Sequence, residues 1–249
     1  MGKIVVDVDG ASPIRGYAPR TGAAMSQIIV AVDGVTYPSA KEKGIFTALA
    51  KAREKGMIWG VKISDMLYSG DVTKIISSLR DEYKLGVMVD AKLHDIPSTM
   101  EYSISRLVNA GANIISIHCS SNFRPKNTDL LKYIAGVTAL TSFTDLEIKW
   151  IYDKSHEEIV KAFSDIALMN NYAYIEGSVK DLDAIRDNPL KRICMGIRPG
   201  WYPDRHDQVR IASLKEAVRV EADFIVIGRP IMKSANINEA IEKIYAEVR

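Results

Sequence analysis

Short apolar runs rich in valine and isoleucine alternate along the chain with longer stretches in which apolar residues return every three or four positions. The short runs, at 28–33, 58–64, 86–92, 113–118, 136–141, 173–176, 192–197 and 224–228, have the length and β-branched composition of strands. The longer stretches, at 39–55, 72–83, 100–109, 157–169, 214–220 and 237–248, carry the periodicity of amphipathic helices. Repeated strand–helix units imply right-handed crossovers and a parallel sheet. Eight of them predict an α/β fold, the closed (β/α)8 TIM barrel. An open doubly wound sheet is the alternative, but no glycine fingerprint follows the first strand.

The beginning of the chain offers two first strands, because KIVVDVDGASP at 3–13 echoes QIIVAVDGVTYP at 27–38. Only the second copy precedes the next motif by a helix-sized interval, so it is taken as strand one. Residues 1–24 are then an N-terminal extension or leader, or a hairpin layer capping the barrel bottom, and 25–249 form a single domain. A length of 249 residues with 47% apolar content suits one large core, and no Pro/Gly/Ser-rich linker divides it.

Charge narrows the partners. The formal balance is +2 with both signs interspersed, which recommends neither nucleic acid nor an anionic membrane, although a few basic residues can still hold a small anion. No apolar run approaches the roughly 18 residues of a membrane span, and no apolar secretory core opens the chain, so a cytoplasmic protein is expected. Cys119 and Cys194 lie far apart in apparent strands without metal-ligand spacing and read as buried thiols.

Active sites of such barrels sit where strands deliver their C-terminal ends. Functional residue types recur there: Asp33, Lys62, Asp90 with Lys92, Thr141 with Ser142, Arg198, and Gly228 with Arg229, six exits of eight. The densest stretch is GVMVDAKLHDIPST at 86–99. Residues two apart on a strand share a face, so Asp90 and Lys92 point the same way, a carboxylate beside an ammonium where a buried parallel strand should stay apolar. A strand-end ion pair without chemistry is the plain reading, and Pro97 then ends the strand and permits a helix.

The decapeptide 90–99, Asp-x-Lys-x-His-Asp-Ile-Pro-x-Thr, resembles the signature of the orotidine 5′-monophosphate decarboxylases. The resemblance covers about Met25 to the C-terminus. It implies decarboxylation of orotidine 5′-monophosphate to uridine 5′-monophosphate in pyrimidine biosynthesis, with Lys92 as the general acid and Asp90, Asp95 and Lys62 completing an alternating charge array. It gives substrate contacts to Asp33, to Ile96 and Thr99, to Thr141 or Ser142 at the pyrimidine edge, and to Arg198, Gln208, Gly228 and Arg229 at the phosphate. GIRPGWYPDRHDQVR at 196–210 looks like the phosphate-gripping loop of the bacterial-type enzymes. The resemblance also implies a homodimer in which Asp95, Ile96 and Thr99 reach the neighbour's site, and no cofactor or metal. Two features depart from the pattern. The interval from Asp33 to Lys62 is longer than usual, which leaves the ribose-binding position of Asp33 open, and CSSNF follows His118 in place of a glycine-rich turn. His94, His118 and His206 carry no expected catalytic role. The alternatives are a metal-dependent sugar-phosphate decarboxylase or aldolase of the same superfamily and a non-catalytic nucleotide-phosphate-binding barrel.

Overall fold

The computed structural model describes residues 25–202 and 211–249. Expectations placed on residues 1–24, on His206 and on Gln208 lie outside the described residues. Eight parallel strands, β1 (Gln27–Ala31), β2 (Gly60–Ile63), β3 (Gly86–Leu93), β4 (Ile114–His118), β5 (Ile134–Val137), β6 (Tyr174–Gly177), β7 (Lys191–Cys194) and β8 (Phe224–Ile227), pair in sequential order and close through β8 onto β1. The closed barrel expected from the alternating pattern is the architecture found.

Helices α1 (Tyr37–Glu42) and α2 (Ile45–Glu54) follow β1, and α3 (Val72–Asp81) and α4 (Pro97–Ala110) follow β2 and β3. Next come α5 (Asp145–Tyr152), α6 (His156–Met169), α7 (Val179–Ala184), α8 (Leu214–Arg219), α9 (Arg229–Met232) and α10 (Ile237–Val248). The stretch 39–55 is thus two helices, because Gly44 takes a left-handed φ of +67° between them. Helices α5 and α7 are absent from the periodicity reading. Both begin at capping boxes, Thr144 with Glu147 and Ser178 with Asp181. Helix α7 has only six residues, and α5 leaves Leu146, Trp150 and Ile151 exposed, which blurs its apolar face. Cys119 and Cys194 are buried free thiols, although Cys119 lies in a 3-10 turn after β4 rather than in a strand.

Strand alternation divides the apolar residues into two cores. Outward-facing residues such as Val30, Val61, Val89 and Ile115 pack under the helices. Inward-facing Ile29, Met88, Ile114, Ala135, Ile193 and Phe224 fill the barrel. Trp59, Tyr174 and Phe224, at or next to the first residues of their strands, close the N-terminal end, with ring centroids 5.2 Å apart for Trp59–Phe224 and 6.1 Å for Tyr174–Phe224. Further along β2, β3 and β6 the interior turns polar at Lys62, Asp90 and Glu176, so the aromatic plug forms the floor beneath a charged layer that opens upward.

Candidate active site

That opening is a cavity of about 690 Å³ at the C-terminal ends of the strands, within the roughly 300–1,000 Å³ typical of small-molecule sites. Of the residues anticipated from sequence, Asp33, Lys62, Asp90, Lys92, Thr141, Ser142, Arg198, Gly228 and Arg229 line it. Several stand beyond their strands rather than at the last residue. Asp33 lies just past Ala31, Thr141 and Ser142 follow Val137 through a turn, and Arg198 lies past Cys194, where Ile197 bridges to Ala212.

The charged centre is built by period two. On β3, Met88, Asp90 and Lys92 face inward in turn, and β2 presents Lys62 beside them. Lys92 Nζ lies 2.5 Å from Asp90 Oδ1, and Lys62 Nζ lies 3.0 Å from Asp90 Oδ2 and 3.0 Å from Asp33 Oδ2. The long interval from Asp33 to Lys62 therefore still brings the two into contact. The order Asp33, Lys62, Asp90, Lys92 alternates in sign and sums to zero. Burial alone would raise the Asp90 carboxyl, but Lys62 and Lys92 outweigh it and hold the group well below the usual carboxylate range. Burial likewise disfavours charge on Lys62, and Asp90 and Asp33 more than restore it.

Two serines that the sequence reading passed over complete the arrangement. Ser116 Oγ on β4 donates to Asp90 Oδ1 at 2.8 Å and accepts the Lys92 backbone N–H at 2.9 Å, and Ser64 Oγ lies 2.5 Å from Lys62 Nζ. Lys92 itself adopts φ +44°, a left-handed conformation at the next-to-last residue of β3, and the β3–β4 register shifts there. Its side chain stays on the Asp90 side, as alternation requires, but through a kinked rather than a regular strand.

A third omission is Glu176 on β6, which lines the cavity and is 3% exposed. Burial first, then Asp90, pushes its carboxyl up to about 7. A carboxylate inside the apolar run AYIEG is the same violation that singles out Asp90, so the signal was present in the sequence. Lys43 and Lys233 also line the cavity.

Asp95, Ile96 and Thr99 are not brought to this cavity. All three are exposed between β3 and the first turn of α4, Ile96 by 63%, and Asp95 Oδ1 accepts the Ile96 N–H at 2.6 Å. Within one chain Asp33, not Asp95, is the fourth member of the alternating array. His94 and His118 stand with ring centroids 5.8 Å apart at the rim. Among the described residues no cluster of three or more His, Cys, Asp or Glu has metal-site geometry, and no helix is long and apolar enough to cross a membrane.

Comparison with known proteins places residues 26–244 on the model of the orotidine 5′-phosphate decarboxylase / HUMPS family. The orotidine 5′-phosphate decarboxylase of Nautilia profundicola is 34% identical over 206 residues, covering 77% of this chain and 87% of the relative. That of Campylobacter concisus is 30% identical over 215 residues, covering 80% and 93%. Among solved structures, orotidine 5′-phosphate decarboxylase from Lactobacillus acidophilus superposes with a TM-score of 0.72 at 21% identity, covering 91% of this chain and all of that one, a likeness of fold.

Proposed function

Since the chain belongs to the orotidine 5′-phosphate decarboxylase / HUMPS family, we propose that this cavity decarboxylates orotidine 5′-monophosphate to uridine 5′-monophosphate and that Lys92 protonates C6 of the pyrimidine. The observation that carries the reading is the chain of alternating charges, buried at Lys62 and Asp90 and ending on the Lys92 ammonium, which lies 2.5 Å from Asp90 and faces the cavity.

The chemistry follows from where charge develops. The bond from C6 to the carboxylate breaks, its electron pair stays on C6, and carbon dioxide leaves. No carbonyl is placed to delocalise that pair as in a β-keto acid, so stabilisation must come from outside the ring. A fixed cation about 4 Å away is worth roughly 4 kcal/mol at an effective dielectric near 20. Lys92 supplies it without reorganising, then transfers one proton to C6 and takes another from water. Asp90 orients the Lys92 ammonium, and Lys62, itself paired with Asp33, helps keep Asp90 ionised in turn.

The opposite side of the cavity suits the phosphate. Strands β7, β8 and β1 are neighbours, and the segments that follow them bring Arg198, Arg229, Lys233 and Lys43 to the cavity wall. Gly228 and Arg229 open the short α9 after β8, the position at which barrels of this class commonly seat a phosphate. Gln208 is assigned to the same group by family resemblance. Thr141 and Ser142 offer small hydroxyls for the pyrimidine edge, and Asp33 for the ribose.

A second copy of the chain completes the site in this reading. Asp95, Ile96 and Thr99 are exposed on one segment, and the neighbouring α4 leaves Tyr102 70% exposed. We assign this surface to a homodimer in which Asp95 of one protomer approaches Lys92 of the other. Residues 25–249 then act as one catalytic domain, and the expected setting is the cytoplasm.

An absorbance assay on orotidine 5′-monophosphate, with excess chelator present, tests the function. Turnover unaffected by the chelator is the expected result. Turnover that appears only with a divalent ion and a sugar phosphate would move the chain to the metal-dependent branch.

A further inference from the structure

Glu176 stands apart from the charge network. Its Oε2 is buried and has no hydrogen-bond partner, although the residue lines the cavity. The backbone around it is fully engaged: Thr138 donates both its N–H, at 3.1 Å, and its Oγ, at 3.0 Å, to the Glu176 carbonyl. The backbone is thus held at the inner wall while one buried side-chain oxygen faces no protein group, an arrangement that native structures rarely leave unsatisfied.

The charged and titratable groups around it leave it little reason to ionise. Lys62 on β2 and Lys92 on β3 are already paired with Asp33 and Asp90, and Asp90 adds a negative charge to the same space. At the end of β4, the half-buried His118 and the buried Cys119 thiol that follows it supply no cation, both held neutral chiefly by burial. The neighbouring positions on β5 and β7 are Val137 and Ile193. Burial and Asp90 therefore keep the carboxyl protonated up to about pH 7.

A neutral carboxylic acid is a donor as well as an acceptor. We propose that Glu176 is a substrate-recognition residue at the reacting end of the site, whose Oε2–H donates a hydrogen bond to a carboxylate oxygen of the bound nucleotide. The inference rests on the decarboxylase reading. Glu176 sits in the barrel wall level with Val137 of β5 and Ile193 of β7, five residues before Arg198, which places it with the charged residues of the strands at the reacting end rather than with the phosphate-side segments beyond them. The acceptor leaves as carbon dioxide, so the bond favours substrate over product, and an ionised Glu176 repels the substrate it should hold.

The test compares wild type, Glu176→Gln and Glu176→Ala in kcat/KM for orotidine 5′-monophosphate from pH 5.5 to 8.5, with the affinity for uridine 5′-monophosphate measured by calorimetry. A hydrogen bond to a charged acceptor predicts a loss of about tenfold or more in kcat/KM for Glu176→Ala, with product affinity changed less than about threefold. Glu176→Gln keeps a donor and cannot ionise. It should recover most of the loss and abolish the wild-type decline above about pH 7, whereas the ionisation of the substrate phosphate is common to all three enzymes. Glu176→Ala matching wild type at every pH overturns the inference, as does an equal loss in Gln and Ala variants of unchanged stability. If Glu176→Ala does not fold, the pH profile of the isosteric Glu176→Gln decides alone. A wild type with no turnover refutes the decarboxylase reading instead.

Discussion

Lys92 holds a backbone conformation that side-chain-bearing residues seldom adopt, φ +44° near the end of β3, at a cost of order 1–3 kcal/mol. Ser116 offsets it, since one hydroxyl accepts the Lys92 N–H and donates to Asp90. Ser116→Ala leaves both groups short of a partner, and we expect denaturant titration to give a stability loss of about 1–3 kcal/mol, with kcat lowered more than KM is raised. Unchanged stability and kcat would show that the serine is incidental. The two buried carboxyls respond to pH in opposite senses. Asp90 is held low by Lys62 and Lys92 against its burial, so its contribution to stability is present above the ordinary carboxylate range and is lost only in strong acid. Glu176 is held high, so its contribution is complete below 4.5 and is lost as pH rises through about 7. The melting temperature of Glu176→Gln should accordingly gain on that of wild type between pH 5 and pH 8, and parallel curves would contradict this. Asp90 and Lys92 were legible in the sequence because two charges in a buried strand violate its pattern. Glu176 carries the same signal but closes a run of only four residues, so its charge reads as the end of a strand rather than as an exit. Ser64 and Ser116 carry no such signal, because serine in a strand is unremarkable until its partner is known.

At the scale of elements, positions along the chain were more legible than their ends. Strand periodicity located all eight strands, but β5 and β7 stop at Val137 and Cys194, earlier than the apolar runs do. Hydrophobicity continues past the last ladder bond because the residues beyond it line the cavity or pack beneath the loops, as Ala139 and Ile197 do. Glycines separate two kinds of constraint. A Cβ on Gly60 would lie 2.1 Å from the Gly86 carbonyl oxygen, where β2 meets β3, whereas one on Gly44 would meet nothing and strain only the backbone. Gly44→Ala should therefore cost only about 1 kcal/mol and retain activity. Gly60→Ala must push two paired strands apart, displacing Lys62 from Asp90, and should cost more than about 3 kcal/mol. Comparing the two unfolding midpoints checks this, and equal losses would show that the close strand approach is not needed.

For the whole molecule, the barrel explains why residues scattered from Asp33 to Arg229 meet: every strand exit reaches one rim, and an aromatic plug closes the other end. A single chain's pattern could not show which copy supplies Asp95, because that is a property of an assembly. If the site is shared, mixing Lys92→Ala with Asp95→Asn protomers should restore activity to about a quarter of wild type, since half the dimers are mixed and each holds one intact site. No recovery after confirmed subunit exchange would place Asp95 outside the partner's site. The central claim is that the Lys92 ammonium, fixed by Asp90, stabilises and protonates the developing carbanion. It is tested most directly by single-turnover absorbance measurements on Lys92→Ala saturated with orotidine 5′-monophosphate, alongside calorimetric binding of uridine 5′-monophosphate. A fall in turnover of about a thousandfold or more with product affinity within about tenfold is the expected result. Turnover equal to wild type would contradict the account.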